Sequence, residues 1–153
     1  MISIILKIGI SGFLATLSFG FLFNIKGKKL LFAAITGAIG GVVYKLGLYY
    51  GLNELSANFI AALSLSICAE VFARIYKTPV TTFIVCGLIP LVPGGGMYRT
   101  MLEVVEGDVQ GALTLALDTL SIAGVLALAI LMVSTVTQFY FKTRKILDMG
   151  KYS

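Results

Sequence analysis

Apolar residues fill this chain in long blocks separated by short polar turns. Five blocks stand out, at residues 4–23, 30–52, 55–73, 79–92 and 109–141. A helix needs ~20 apolar residues to cross a hydrocarbon core of ~30 Å, and four of the five reach that scale. Lipid offers no hydrogen bonds, so such blocks fold as helices whose backbone pairs internally. The pattern predicts an all-α, polytopic membrane helix bundle, with residues 1–153 as one integral membrane domain. The opening Met1-Ile2-Ser3-Ile4-Ile5-Leu6-Lys7 has no basic region before its apolar run and no small-residue cleavage site. It reads as a retained first helix rather than a signal peptide. The last block outruns the core, so it tilts or projects at one end.

The fourth block breaks its own pattern. Residues 78–98 carry no charge, yet they contain Pro90-Leu91-Val92-Pro93-Gly94-Gly95-Gly96. Each proline lacks an amide hydrogen and crowds the preceding turn, and glycines gain little from being helical. One smooth helix is excluded. Irregular backbone survives in lipid only where protein or a water-filled cavity satisfies it, as in the broken helices of transporters. A tight turn between two helices is the plain reading of the run. Three glycines and two prolines without a polar residue favour a binding role for Pro90, Pro93, Gly94, Gly95 and Gly96. The preceding helix end offers carbonyls to an ammonium group, and the glycine amides face a carboxylate without side chains in the way.

Composition fits the pattern. Of 153 residues, 58% are hydrophobic and 12% charged, and the mean hydropathy is +0.99. A soluble domain carries about a quarter charged residues. The net charge of +5 points to membrane orientation rather than nucleic acid, because basic residues collect on the cytoplasmic side. They form three clusters, Lys26/Lys28/Lys29, Arg74/Lys77 and Lys142/Arg144/Lys145/Lys151. Placing all three inside requires the fourth block to cross, which puts its break toward the outer side of the fourth span, as an outer gate or half-site rather than a midplane pocket. The topology is then five transmembrane segments, amino terminus outside and carboxyl terminus cytoplasmic, with Glu54, Glu103, Glu106 and Asp108 outside. The alternative is four spans plus a re-entrant hairpin at 79–102. Cys68 and Cys86 sit in apolar sequence and read as small hydrophobes. With no histidine and no nucleophile–base motif, no enzyme, metal or cofactor is expected.

Small and polar residues recur at helical spacing. Gly12, Thr16 and Gly20 share one face, as do Ala33, Gly37 and Gly41, and Gly47 and Gly51 repeat the spacing. Such faces bring helix backbones together in lipid, within the bundle, in a homo-oligomer, or both. Asn58, Ala62, Ser66 and Glu70 form a stripe on the third helix, and Gly111, Thr114, Asp118 and Ser121 one on the last. Carboxylates inside a membrane face a cavity or a partner by default. Asp118, about two and a half turns into its helix, is the candidate for proton coupling or substrate-ammonium binding. Glu70 is a second proton-coupling candidate, though an i,i+4 ion pair with Arg74 explains it equally well. Lys45 snorkels to the interface. Residues 97–106 suit a short interfacial helix, with Arg99, Glu103 and Glu106 on one face and Arg99 and Glu103 at i,i+4; a solvated outer loop is the plain reading, and the sharper one has Arg99 near the mouth, attracting a carboxylate.

Pro90-Leu91-Val92-Pro93-Gly94, with an apolar helix before it and Met97-Tyr98 after it, resembles the threonine/serine exporter family. The closer likeness is to its short-chain members, which correspond to the carboxyl-terminal membrane domain of full-length exporters. It extends to the chain length, the glycine-rich early helices and the long final helix. The resemblance implies a transporter half working with a larger membrane subunit that carries the other domain. It implies efflux of small metabolites, threonine and serine in the named members and dicarboxylates in some two-component systems. The sequence lacks the partner domain and any hydrolase-like amino-terminal portion. No Gly-rich phosphate loop ending in Lys-Ser/Thr occurs, so the expected drive is the proton or membrane potential. The expected function is therefore a secondary-exporter subunit for a small-molecule substrate in the plasma membrane, in contact with lipid. The alternative is a non-transporting scaffold that stabilises the partner.

Overall fold

The computed structural model describes the backbone of residues 2–150 and the side chains of 5–142. Lys151 and the side chains of Arg144 and Lys145 lie outside the described residues. The elements are α1 (Ile2–Leu22), α2 (Lys28–Tyr49), α3 (Glu54–Ile75), α4 (Thr81–Leu88), α5 (Gly94–Glu106) and α6 (Val109–Gly150). A 3-10 turn, Ile89–Leu91, prolongs α4. Among the described residues there is no strand. Four helices are long and apolar enough to cross a membrane, and the pair Thr81–Leu91 and Gly94–Glu106, bent by 51°, makes a fifth if it is one span.

Four helices stop in the same way. Ile25 N–H reaches Gly20 O at 3.0 Å, Leu52 reaches Gly47 at 3.0 Å, Thr78 reaches Ala73 at 2.9 Å and Asp108 reaches Glu103 at 3.0 Å. Each bond spans a left-handed residue, Asn24, Gly51, Lys77 or Gly107, with φ of 57°, 84°, 47° and 83°. These six-to-one closures satisfy carbonyls that a helix end would leave bare. They correct one expectation: Gly51 is a turn residue needed for its backbone angle and does not extend the packing face of Gly47. Two helix starts are capped by side chains. Asn53 Oδ1 accepts from Ser56 N–H at 2.9 Å, and Asp108 Oδ1 accepts from Gly111 N–H at 2.9 Å.

The small residues set the register of the first three helices. A β-carbon on Gly12 would lie 3.2 Å from the Gly37 carbonyl, and one on Gly37 would overlap the Thr16 side chain. One on Gly20 would sit 2.5 Å from the Leu30 side chain. These contacts make α1 and α2 an antiparallel pair whose backbones nearly touch. Along α2 and α3, Gly40 meets Leu65 and Gly47 meets Ala57, while the Phe32 ring lies 4.9 Å from that of Phe72. That pair is antiparallel too. α4 runs alongside α2, with Gly87 against Thr36 and Leu91 against Gly40.

α6 runs parallel to α3. Near its start α3 shares a cleft with α6, lined by Leu55, Phe59, Val125 and Leu128. Near its end, Arg74 stacks on the Phe141 ring at 3.5 Å. Parallel neighbours require the chain to return from one end of the bundle to the other between Ile75 and Val109, and α4 with α5 makes that return. A re-entrant hairpin would have left α6 antiparallel to α3. The same contacts bring Lys26–Lys29, Arg74/Lys77 and Lys142 to one end of the bundle.

Candidate functional site

The break is shorter than its sequence suggests. Val92 N–H still donates to Leu88 O at 3.1 Å, and Gly94 N–H folds back to Val92 O at 2.7 Å. The second bond closes an inverse γ-turn on Pro93, whose φ of −76° and ψ of 56° suit that turn. α5 then starts at Gly94, and Met97 N–H bonds Pro93 O at 3.1 Å. Thus Gly94, Gly95 and Gly96 are the first turn of a helix rather than an unwound loop, and the helix expected at 97–106 is longer by those residues. Proline 93 has no amide, which suits the residue before a helix. Gly96 is required by packing, since a β-carbon there would lie 2.5 Å from Thr119 Oγ1.

The height of the break is a second correction. The sequence placed it toward the outer end of the fourth span. Leu91, just before it, is buried in the cluster of Ala61, Ala62, Leu65, Leu126 and Ala129. Leu65 and Gly40 are mid-helix residues of α3 and α2, so the break lies halfway along the bundle. Pro90, Gly94 and Gly95 are exposed there, and β-carbons on Gly94 and Gly95 would meet nothing within 4 Å. No side chain caps the start of α5. A helix start with its positive dipole end and bare amides therefore opens sideways at mid-height.

The other candidate residues divide into two groups. The α3 stripe is buried as expected: Asn58, Ala62, Ser66 and Glu70 all face the bundle. Asn58 Nδ2 donates to Glu54 O at 3.0 Å. Glu70, only 6% exposed, takes a bond from Arg74 Nη2 at 3.1 Å, so the i,i+4 ion pair is formed. The Ser66 hydroxyl is buried without a partner among the described residues, as is that of Thr16. The α6 stripe departs from expectation. Thr114, Asp118 and Ser121 are exposed, and α6 buries Ala112, Leu126, Ala129 and Val133 instead. Thr114 and Ser121 hydroxyls donate to Gln110 O and Leu117 O in their own helix. Asp118 therefore faces away from this bundle. Arg99 is exposed on α5, and the i,i+4 pair with Glu103 is not made, because among the described residues the ion pair is Glu70–Arg74. Lys45 is exposed near the end of α2, as snorkelling requires.

Sequence reading missed a mid-height layer of small groups. Thr16, Thr36, Gly37, Gly40, Ser66 and Gly87 are all buried there. Gly87 and Thr36 stood outside the periodic faces, though a lone glycine in an apolar helix was a usable signal. Among the described residues no cluster could hold a metal ion.

Comparison with known proteins places this geometry. No solved structure matches the chain. An uncharacterized protein of Haemophilus influenzae is 28% identical over 88 residues, which is 58% of this chain and 30% of that relative. The chain thus matches under a third of that relative's length. The family model described as Threonine/Serine exporter, ThrE matches residues 9–136, from α1 through the break and most of α6. With most of its helices, its bent pair and its glycine seams inside that match, the chain belongs to the threonine/serine exporter family.

Proposed function

We propose that this chain is the membrane subunit of a secondary exporter that moves threonine, serine or another small amino or carboxylic acid out of the cell. It works with a larger membrane partner in the plasma membrane, driven by the proton or membrane potential. The observation that carries this reading is the uncapped start of α5, exposed at half the height of the bundle. Unpaired backbone amides in lipid cost several kcal/mol each. A partner surface over the break removes that cost and encloses a site with amides for a carboxylate and the α4 carbonyl end for an ammonium group. Asp118 and Arg99 supply charge toward the same partner. An exposed Asp within a span costs about 2.5–3.5 kcal/mol, which a protein partner offsets.

The end bearing Lys26–Lys29, Arg74, Lys77 and Lys142 is cytoplasmic in this reading, by the positive-inside rule. α1 then starts outside and α6 ends inside. The test is threonine efflux from cells fed a threonine-containing peptide, with and without the partner gene. Gly95→Leu and Asp118→Asn should each abolish efflux at normal abundance; unchanged efflux in both sinks the site assignment.

A scaffold role is the second reading, favoured by α5, which has no buried residue and, packed on α6 along one side, leaves most of its surface for another chain. It predicts that deleting this chain lowers partner abundance without changing activity per remaining partner.

A further inference from the structure

The turn between α1 and α2, at the basic end of the bundle, holds a pocket of about 620 Å³. Phe21 and Leu22 at the end of α1 and Leu30 at the start of α2 line its apolar part. Asn24, Lys26 and Gly27 line its polar part. Two backbone features build the turn. Asn24 takes a left-handed φ of 57°, which lets Ile25 N–H close α1 on Gly20 O at 3.0 Å. Gly27 has φ 68° and ψ −146°, a region that glycine alone enters freely. A β-carbon on Gly27 would meet nothing within 4 Å, so the residue is needed for its angles and the space over it is open.

Charge gathers at this pocket in an unfavourable way. Lys26, Lys28 and Lys29 crowd the start of α2, where the helix dipole is already positive. No side chain caps that start. Among the described residues the ion pair is Glu70–Arg74, so none of these three lysines meets a carboxylate there. Like charges repel one another and the dipole, and a bound anion relieves both. Apolar surface lies beside the charge: Phe21 and Leu22 are 75% and 74% exposed. A free phosphate would use the charge and leave that apolar wall bare. A lipid uses both, since its headgroup layer meets helix ends where its acyl chains meet helix sides.

We infer that this pocket seats one anionic glycerophospholipid. Its phosphate takes charge-assisted hydrogen bonds from Lys26 and the Asn24 side-chain amide, beside the bare start of α2, and an acyl chain lies along Phe21 and Leu22. Positive charge at this end is enough to orient the chain in the membrane. Orientation needs neither a cavity nor an uncapped helix start. The inference goes beyond the transport reading and does not depend on it.

The experiment follows lipid retained by the purified chain in detergent, by native mass spectrometry, with phosphatidylglycerol or phosphatidylcholine added. One phosphatidylglycerol should be held in preference to phosphatidylcholine. Lys26→Gln should weaken that binding roughly tenfold, as expected for losing one charge-assisted bond, and Phe21→Ser should weaken it as well. Both side chains are exposed, so neither change disturbs the core, and Lys26→Arg should keep the lipid. Lys77→Gln and Lys142→Gln remove the same charge from the same end and should bind as the parent chain does. Equal losses from Lys26→Gln and Lys77→Gln would reduce the effect to general surface charge and overturn the site. Equal retention of the two lipids would overturn it too. Inorganic phosphate that displaces the lipid or raises the melting temperature as much would make it a free-anion site instead. A cross-link from Lys26→Cys to a second copy or to a partner subunit, with no lipid retained, would give the pocket to a protein and refute the lipid.

Discussion

At the scale of single residues, a missing side chain lets α1 and α2 pack tightly. The Thr16 hydroxyl occupies the space where Gly37 would carry a β-carbon, near enough for a weak contact from the glycine α-hydrogen. Gly37→Ala should therefore lower stability by about 1–3 kcal/mol through overpacking. Thr16→Gly in the same chain should recover most of it, because the two changes share one space. Thermal unfolding in detergent of the two single variants and the double variant checks this. Asp118 shows the limit of residue-level reading. Spacing correctly put Thr114, Asp118 and Ser121 on one side of a helix. It could not say which side faces inward, because lipid-facing residues are as apolar as core residues and the usual contrast between faces disappears.

At the scale of the element, the three glycines of α5 make an internal comparison. Gly94 and Gly95 open onto empty space, whereas Gly96 is pressed on Thr119. Alanine is a better helix former than glycine by up to about 1 kcal/mol. Gly94→Ala and Gly95→Ala should thus stabilise the isolated chain slightly, and Gly96→Ala should destabilise it, as read by melting temperature. If the bare amides serve transport, Gly95→Ala should also reduce efflux despite the firmer helix. The spans were legible in the sequence because hydrophobic length is a local property. The helical state of these glycines was not, since Gly96 settles on α6, a partner that local propensity cannot see. The bend itself was legible, because Pro93 removes the amide that a continuous helix would need there.

At the scale of the whole molecule, the parallel run of α3 and α6 gathers Lys26, Lys77 and Lys142 at one end and leaves Glu106 toward the other. Cysteines replacing Lys26, Lys77 and Lys142, in a chain with Cys68→Ser and Cys86→Ala, should react with a membrane-impermeant maleimide only after the cells are opened. A cysteine replacing Glu106 should react in intact cells. Labelling of Lys26→Cys and Lys142→Cys from opposite sides would refute the five-crossing arrangement. The charge clusters lead to five crossings from the sequence, and contacts such as Arg74 on Phe141 gather those clusters at one end of the bundle; the labelling decides which side that end faces. The bent pair also bears on how the chain enters the membrane during synthesis. At ~1.5 Å per residue, the stretch Thr81–Leu91 reaches only about half of a ~30 Å core, and α5 carries Arg99, Glu103 and Glu106. Neither piece has the apolar length to leave the translocation channel for lipid unaided. If the pair is one crossing, α4 should stay sheltered against α2 and α3 until α6 emerges to receive α5, and this crossing should be the last to become permanent.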